Sequence, residues 1–425
     1  MNPAPNVHRH NVLTRRDAIR TFTFCCGALL SGCATSDYVN GKLVLTQWYH
    51  QYGEKGTFQA VHRYAKEYTC VNPHIIIKVV WIPGDYGTKL ATALLTPDGP
   101  DVFENQLSQA MVDAGQVAPL NDLFSAADLA DFNARDTALN SVNGKIYAVK
   151  MIDDMGLLYY RKSQLKAAGL QPPSTMAELM SVAKRLTTGS RKGLYLGNDG
   201  GISALLNVLP WSANTDFLVD NRIAFDNSRT VASYQQLLQL NQSGTLLMGA
   251  PTDWWDPSAF TQGAAAMQWC GLWAYPAIYK AVQDDLGAVI WPPLDDQGVP
   301  VTFLGGWSAM VNANRPHVEE AKRFLQWQWI ENRKIQLDWC VGYGFHVPPR
   351  QSLAVSTPKL QQPVPSYAVR MLGKYGKALS PLWSSSMTSD LTSALTNIVK
   401  LGHPAEQEIA SVAVSCRREL QRELE

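Results

Sequence analysis

The segment "GKIYAVKMIDDMGLLYYRKSQLKAAGLQPPSTMAELMSVAKRL", residues 144–186, decides the fold of this chain. Residues 144–149 predict a turn into a strand, and residues 156–161 predict a second strand. Residues 163–168 predict a short helix. Ser174, a residue type that caps helix N-termini, then precedes a predicted helix that ends near Leu186. Strands and helices therefore alternate, as they do in α/β proteins.

The residues before this segment predict a parallel sheet. Residues 42–49 and 74–81 are apolar, β-branched runs that predict buried strands, and residues 100–103 predict a third, shorter strand. Residues 56–68 and 86–95 predict the intervening helices. A β-α-β-α-β order implies a parallel sheet with right-handed crossovers.

Five segments, in this order, resemble one known family. They are "KLVLTQWYHQYGEKGTFQAVHRYAKEY" (42–68), "YGTKLATALLTPDGPDVFE" (86–104), the segment 144–186, "FTQGAAAMQWCGLWAY" (260–275), and "GGWSAMVNANRPHVEEAKRFLQW" (305–327) followed by "GYGFHVPPRQSL" (342–353). Together they resemble the carbohydrate-binding proteins of bacterial ABC importers, the extracellular solute-binding group that includes maltose-binding protein. The chain departs from the family pattern at Arg161, where Asn is usual, and at Lys150, which replaces the usual proline.

The resemblance implies an α/β, two-lobed periplasmic-binding-protein fold with a hinge and an interlobe ligand cleft. Lobe 1 is expected over residues 42–150 and 303–342, and lobe 2 over residues 151–302 and 343–425. The loops at the carboxyl ends of the parallel strands are expected to line the cleft.

Candidate ligand-binding residues follow from the chemistry of sugars. Asp, Glu, Asn and Arg side chains hydrogen-bond hydroxyls, and flat aromatic rings cover the apolar face of a sugar ring. Such residues follow the predicted strands, the lobe crossing and the late turns. They are Trp48, Tyr49, His50, Glu54, Glu104, Asn105, Asp153, Asp154, Trp211, Trp255, Trp273, Tyr275, Gly306, Trp307, Tyr343 and Arg350.

Several of these residues carry alternatives. Asp153 and Asp154 could indicate acid–base chemistry, as in a glycosidase, although a hinge position favours hydroxyl acceptors. Trp254 is a candidate beside Trp255. The family resemblance suggests a stacking role for Trp211 and a ligand contact for Arg350. The chain also resembles mycobacterial amino-sugar and glycerophosphodiester importer lipoproteins, so both ligand types stay open beside neutral sugars.

The first residues predict export and anchoring. Basic residues, among them the pair Arg15-Arg16, precede an apolar run over residues 22–30. The tetrapeptide Leu30-Ser31-Gly32-Cys33 resembles a bacterial lipobox. We therefore predict a Sec or twin-arginine signal peptide over residues 1–32, lipidation of Cys33, and a linker over residues 33–41. The protein is expected at the outer face of the cytoplasmic membrane.

Composition excludes several classes of protein. Without residues 1–32 the chain has 33 basic and 35 acidic residues, so it carries no basic footprint for nucleic acid. No GxSxG, HExxH, P-loop or GxGxxG motif is present, and we expect neither an enzyme nor a cofactor or metal site. Cys70, Cys270, Cys340 and Cys416 lack metal-site spacing, and the sequence assigns no disulfide among them.

The expected partners follow from the missing nucleotide-binding motif. A chain without a P-loop cannot power transport, so permease subunits and a separate ATPase are implied for a monomeric binding protein. A lipid-anchored glycosidase, and a surface adhesion or sensor protein with the same fold, are the alternative classes.

Overall fold

The computed structural model describes residues 37–424. The predicted signal peptide and Cys33 lie outside the described residues. In chain order, the strands are β1 (Tyr38–Val39), β2 (Lys42–His50), β3 (Ile75–Ile82), β4 (Val102–Asn105), β5 (Ser141–Val142), β6 (Lys145–Ile146), β7 (Val149–Lys150), β8 (Gly156–Arg161), β9 (Lys192–Tyr195), β10 (Leu218–Val219), β11 (Arg222–Ile223), β12 (Ala265–Gly271), β13 (Leu286–Val289), β14 (Thr302–Phe303), β15 (Ser308–Val311) and β16 (Gly376–Lys377).

The helices occupy both faces of the sheets. In chain order they are α1 (Thr57–Val71), α2 (Tyr86–Ala93), α3 (Gln109–Asp113), α4 (Ala126–Asp131), α5 (Ala134–Leu139), α6 (Lys162–Ala167), α7 (Met176–Leu186), α8 (Ile202–Leu205), α9 (Val208–Ser212), α10 (Ser228–Gln242), α11 (Ser258–Thr261), α12 (Tyr275–Val282), α13 (Val318–Gln326), α14 (Arg333–Val341), α15 (Gln351–Ser356), α16 (Pro363–Tyr375), α17 (Ser385–Thr396) and α18 (Ala405–Leu424). Short π-helical turns follow α13 and α17, at Trp327–Glu331 and Asn397–Leu401. The predicted order of strands and helices over residues 42–103 and 144–186 is confirmed, with two corrections. Residues 144–150 contain two short strands, β6 and β7, in place of one, and Thr175 caps α7 in place of Ser174.

The first lobe is built on a mixed sheet. Strands β3 and β4 lie parallel to β2, which confirms the predicted β-α-β-α-β unit. Strand β15 returns from later in the chain and lies antiparallel between β4 and β7. Its Ser308 pairs with Asn105 on one side and with Lys150 on the other. Three polar side chains therefore meet where these strands end.

The second lobe has its own sheet, in the order β13-β8-β12-β9. Strand β12 is parallel to β9 and antiparallel to β8. All seven residues of β12 are buried, so both faces of this strand are covered. Trp269 of β12 packs edge to face against Trp291, with ring centroids 5.5 Å apart.

Crossing segments join the lobes. The main chain of Asp153 exchanges two hydrogen bonds with Val347, and Asp154 pairs with Gly305. Strands β14 and β16 run parallel to each other beside this crossing. Away from the crossing, the backbone N–H of Gln109 donates to the carbonyl of Pro381, so the lobes also touch at the rim of the cleft.

Residues 344–352 contact the first lobe. The Arg350 side chain is 1% exposed and donates to Asp128, Asp131 and Gln336, and to the carbonyl of Ile330. Its guanidinium also lies 4.5 Å from the Phe132 ring centroid. Arg350 therefore has a structural role in place of the expected ligand contact. The expected start of lobe 2 at residue 343 precedes these contacts, and the exact boundaries stay predictions.

The four cysteines of the described chain are unpaired. Cys270, Cys340 and Cys416 are buried, whereas Cys70 is exposed. Among residues 37–424, no helix combines the length and the apolar character needed to cross a membrane.

We predict that Arg350→Ala lowers the free energy of unfolding by about 3 kcal/mol, because it removes a buried donor from Asp128, from Asp131, from the carbonyl of Ile330 and from the side-chain oxygen of Gln336. Urea denaturation measures this. Arg333→Ala is the matched control, since Arg333 also binds Asp131 but its side chain is 54% exposed. Arg333→Ala should lower the free energy of unfolding by less than about 1 kcal/mol. Equal denaturation midpoints for wild type and Arg350→Ala would contradict the structural role.

Candidate functional site

A cavity of about 780 Å³ lies between the two lobes. Helix α2 and the residues after β4 form its first wall, and residues 203–211 and 377–388 form its second. Residues 303–308, which include the crossing at Gly305, form its floor. Both lobes therefore contribute to one site, at the ends of strands as expected.

Aromatic rings form one side of the cavity. Trp254 and Trp273 pack edge to face with ring centroids 5.8 Å apart, and Phe303 lies 6.4 Å from each of them. Trp211 lines the cavity beside them and packs edge to face on Phe217. Trp254, Trp273 and Phe303 are partly exposed and offer apolar ring surface to a ligand, whereas Trp211 is 3% exposed and contributes little.

Trp307 belongs to the floor and is supported from behind. Its ring stacks on the His50 imidazole at 4.2 Å, and Tyr86 packs edge to face against it at 5.9 Å. Glu104 holds His50, because its carboxylate accepts from the His50 backbone N–H at 2.8 Å and contacts Nδ1 at 2.6 Å. Tyr52 also donates to Glu104. His50 and Glu104 therefore act on Trp307 from behind the cavity wall.

The polar lining is dominated by neutral groups. Amides and hydroxyls come from both lobes and from the floor: Asn105, Gln106, Ser108, Gln116, Asn140, Ser203, Asn207, Ser308, Ser380, Ser385 and Thr388. Among the described residues, Asp154 supplies the one carboxylate of the lining, and Lys150 and Lys377 supply its ammonium groups. Lys377 is paired with Asp216 at 2.6 Å.

Asp154 is held by a buried histidine. His346 Nδ1 donates to Asp154 Oδ1, and His346 Nε2 lies 3.4 Å from Glu54. Burial alone would lower the pKa of His346, but the Asp154 and Glu54 carboxylates outweigh it and raise this pKa to about 10. Burial opposes ionisation of Glu54, but hydrogen bonding to His346 lowers its pKa overall. The histidine therefore carries the charge that neutralises Asp154.

Six of the sixteen predicted site residues line the cavity: Asn105, Asp154, Trp211, Trp273, Gly306 and Trp307. Gly306 has a φ of +98°, and a Cβ there would lie 2.1 Å from the carbonyl oxygen of Ile152. Glycine is therefore required at this position by the approach of two crossing segments.

The other predicted residues lie outside the lining for identifiable reasons. Some face the core, some pair with other side chains, and one faces solvent. They are Trp48, Tyr49, His50, Glu54, Glu104, Asp153, Trp255, Tyr275, Tyr343 and Arg350. Tyr49 is 1% exposed because alternate residues of β2 face the core. The hydroxyl of Tyr275 donates to Gln362, and Arg63 donates to the hydroxyl of Tyr343.

The side chains of the two adjacent candidates Trp254 and Trp255 lie in different places. Trp254 lines the cavity, whereas Trp255 is 52% exposed and contributes its backbone carbonyl, which accepts from Trp273 Nε1 at 2.9 Å. The two tryptophans lie outside any strand or helix, so no sequence period predicts which of their side chains faces the cavity. Asn140 and Asn207 flank short helices and Thr388 lies in α17, and no sequence period marks a polar residue at such a position as facing a cavity.

The chain matches a known family model. The model described as bacterial extracellular solute-binding protein matches residues 53–328. A probable ABC transporter-binding protein of Deinococcus radiodurans is 29% identical over 229 residues, which cover 49% of this chain and 54% of the relative. The chain thus spans about half the length of that relative. A multiple sugar-binding protein of Streptococcus mutans is 23% identical over 325 residues, covering 70% and 74%.

Solved structures share the fold. An ABC transporter solute-binding protein of Thermotoga lettingae, bound with alpha-D-tagatose, has a TM-score of 0.76 at 18% identity and covers 89% of this chain and 99% of its own. UgpB of Mycobacterium tuberculosis, in complex with glycerophosphocholine, has a TM-score of 0.74 at 18% identity, covering 91% and 100%. At this identity the likeness shows the fold alone.

His346 gives the protein a pH-dependent stability. An unfolded histidine has a pKa of about 6.5. Because the folded pKa is higher, at about 10, the stabilisation is complete below the unfolded pKa and is lost as pH rises through the folded one. We predict that the free energy of unfolding falls between these two values in wild type and falls less in His346→Gln.

Urea denaturation at a series of pH values measures the difference between the two proteins. His62→Gln is the control, because His62 is exposed and should leave the pH slope of wild type unchanged. Parallel pH profiles for wild type and His346→Gln would contradict the charged, ion-paired histidine.

Proposed function

This chain belongs to the bacterial extracellular solute-binding protein family, and we propose that it captures a carbohydrate between its lobes and delivers it to a membrane permease. One observation carries the proposal. The cavity combines aromatic ring faces with neutral amide and hydroxyl side chains. Sugars need both, because their ring faces are apolar and their rims carry hydroxyls that donate and accept hydrogen bonds.

The charges at the cavity favour an uncharged ligand. Asp154 pairs with His346, and Lys377 pairs with Asp216. A charged ligand would have to compete with His346 for Asp154, or with Asp216 for Lys377. We therefore propose a neutral sugar or oligosaccharide as the primary ligand.

Two charged ligand classes are the alternatives. An amino sugar would place its ammonium against Asp154, beside the tryptophan faces. A glycerophosphodiester would place its phosphate against Lys150 or Lys377, and the neighbour bound to glycerophosphocholine makes this class worth testing. Binding measurements separate these classes directly.

A binding role without catalysis accounts best for the acidic residues. Glycosidases use two carboxyl groups that face the scissile bond. Asp154 is the one carboxylate of the lining within residues 37–424, and Asp153 is 2% exposed and lies outside the lining. This arrangement supports a solute-binding protein over a lipid-anchored glycosidase. A transport assay would distinguish an importer component from an adhesion or sensor protein.

The proposed assembly follows from the family. The protein would act as a monomer with permease subunits and a separate ATPase, because the chain has no P-loop to power transport. We further propose that it is exported and anchored through lipidated Cys33, at the outer face of the cytoplasmic membrane.

A thermal-shift panel tests the ligand class, and one tryptophan pair tests the site. We expect a neutral sugar among maltose, mannobiose and alpha-D-tagatose to raise Tm more than glucosamine or glycerophosphocholine does. Trp254→Ala should then weaken the binding of that sugar by about 1–3 kcal/mol, the scale of a lost buried aromatic contact. Isothermal titration calorimetry measures the affinity.

Trp255→Ala is the matched control for this prediction. The two tryptophans are adjacent, but the Trp255 side chain faces solvent and only its carbonyl contacts Trp273. The control should bind as wild type does. Hydrolysis of a glycoside, with no Tm shift from any sugar, would contradict the proposed function.

Anchoring has a separate test. We predict that Cys33→Ser releases the protein from membranes into the soluble fraction, because serine lacks the thiol that accepts the lipid. Cell fractionation followed by immunoblotting measures the distribution. Cys25→Ala is the matched control, since Cys25 lies in the predicted signal peptide and should leave the protein in the membrane fraction.

A further inference from the structure

Lys150 lies at the floor of the cavity, although it belongs to the central sheet. It is the last residue of β7 and pairs with Ser308 of β15. Only 8% of it is exposed, yet it lines the cavity between the lobes. A buried ammonium group costs free energy unless partners compensate both its charge and its N–H groups.

The ammonium group has unused donors. It can donate three hydrogen bonds. One goes to the carbonyl oxygen of Gly305, at 2.7 Å from Nζ. Asp153 Oδ1 lies 3.6 Å away, which is close enough for charge compensation but too long for a good hydrogen bond. No described residue accepts from the remaining N–H groups, so they are free for a ligand.

A buried carboxyl pair compensates the charge of Lys150. Asp153 and Asp136 are 2% and 1% exposed, and neither Asp153 Oδ1 nor either Asp136 oxygen has a hydrogen-bond donor among the described residues. Burial raises the pKa of both carboxyls, and the charge of Asp136 raises that of Asp153 further. A proton shared between two neighbouring carboxyls leaves one negative charge to face Lys150.

Asp154 supplies an acceptor beside this donor. Its backbone pairs with Gly305, the residue whose carbonyl binds Lys150. Its Oδ1 binds His346, and no described residue donates to its Oδ2. Lys150 and Asp154 do not form an ion pair with each other. The floor therefore presents Lys150 Nζ, which can donate further hydrogen bonds, and Asp154 Oδ2, which can accept them.

We propose that Lys150 and Asp154 together bind two neighbouring hydroxyl groups of the ligand and so determine its specificity. This inference rests on the proposed carbohydrate function. One hydroxyl oxygen accepts from Lys150 Nζ, and the adjacent hydroxyl donates to Asp154 Oδ2. A sugar that lacks either hydroxyl leaves a buried polar group unpaired, and such losses discriminate strongly between ligands. Asp154 would repel a phosphate and Lys150 would repel an ammonium group, so the pair disfavours both kinds of charged ligand.

The test compares Lys150→Met with Lys145→Met by calorimetry. The probe is whichever of maltose, mannobiose or alpha-D-tagatose binds wild type, together with its monodeoxy analogues. We expect Lys150→Met to lose at least about tenfold in affinity, the cost of one unpaired buried group. Lys145→Met should bind as wild type does, because Lys145 is exposed in the same part of the chain.

The deoxy analogues give a readout that a purely structural lysine would not change. Wild type should reject one analogue that Lys150→Met no longer distinguishes from the parent sugar, and Asp154→Asn should lose discrimination at the neighbouring position. Because Lys150→Met leaves the carboxyl pair uncompensated, the double variant Lys150→Met with Asp153→Asn is measured as well.

The outcomes separate this inference from the proposed function. Sugar binding by wild type, with unchanged affinity and discrimination in the double variant, would overturn the role of Lys150 and leave the function standing. Binding of glycerophosphocholine alone, or of no probe, would overturn both.

Discussion

The approach of three main-chain segments at Gly305 and Gly306 is the constraint on which the structure depends. Asp153 pairs with Val347, Asp154 pairs with Gly305, and Gly306 lies against the carbonyl of Ile152 with no room for a Cβ. This contact fixes how the two sheets meet. It also places Asp154, Trp307 and Lys150 at the same part of the cavity, because each lies within a crossing segment or close beside one.

The charges of Asp154 and Lys150 at this floor are compensated by buried partners outside the cavity lining. His346 faces Asp154 from the side of Glu54, and the carboxyl pair of Asp136 and Asp153 faces Lys150. Both arrangements allow one charged group to reach the cavity while its counter-charge stays buried. The wall can therefore offer strong hydrogen-bonding groups without presenting a net field to the ligand, which suits recognition of neutral polar molecules.

The sequence predicts the framework of this protein better than its cavity. Strands and helices over residues 42–103 and 144–186 were predicted because apolar periodicity and capping residues act locally. Trp307 and Gly306 were found because they open a strand that the family resemblance placed at the cleft. Glu104 and Arg350 lie outside the cavity lining, since a polar residue at a strand end or late turn can equally face the partners that bury it. Lys150 was noted only as a departure from the family pattern, because its unused donors depend on contacts far apart in the chain.

The contact between Gln109 and Pro381 at the rim differs in kind from the contacts inside the cavity. It joins a backbone N–H to a backbone carbonyl, so neither side chain takes part. This contact is therefore open to any residue at position 381 and to any residue except proline at position 109. The side chains that face the cavity can therefore change without removing this hydrogen bond between the lobes.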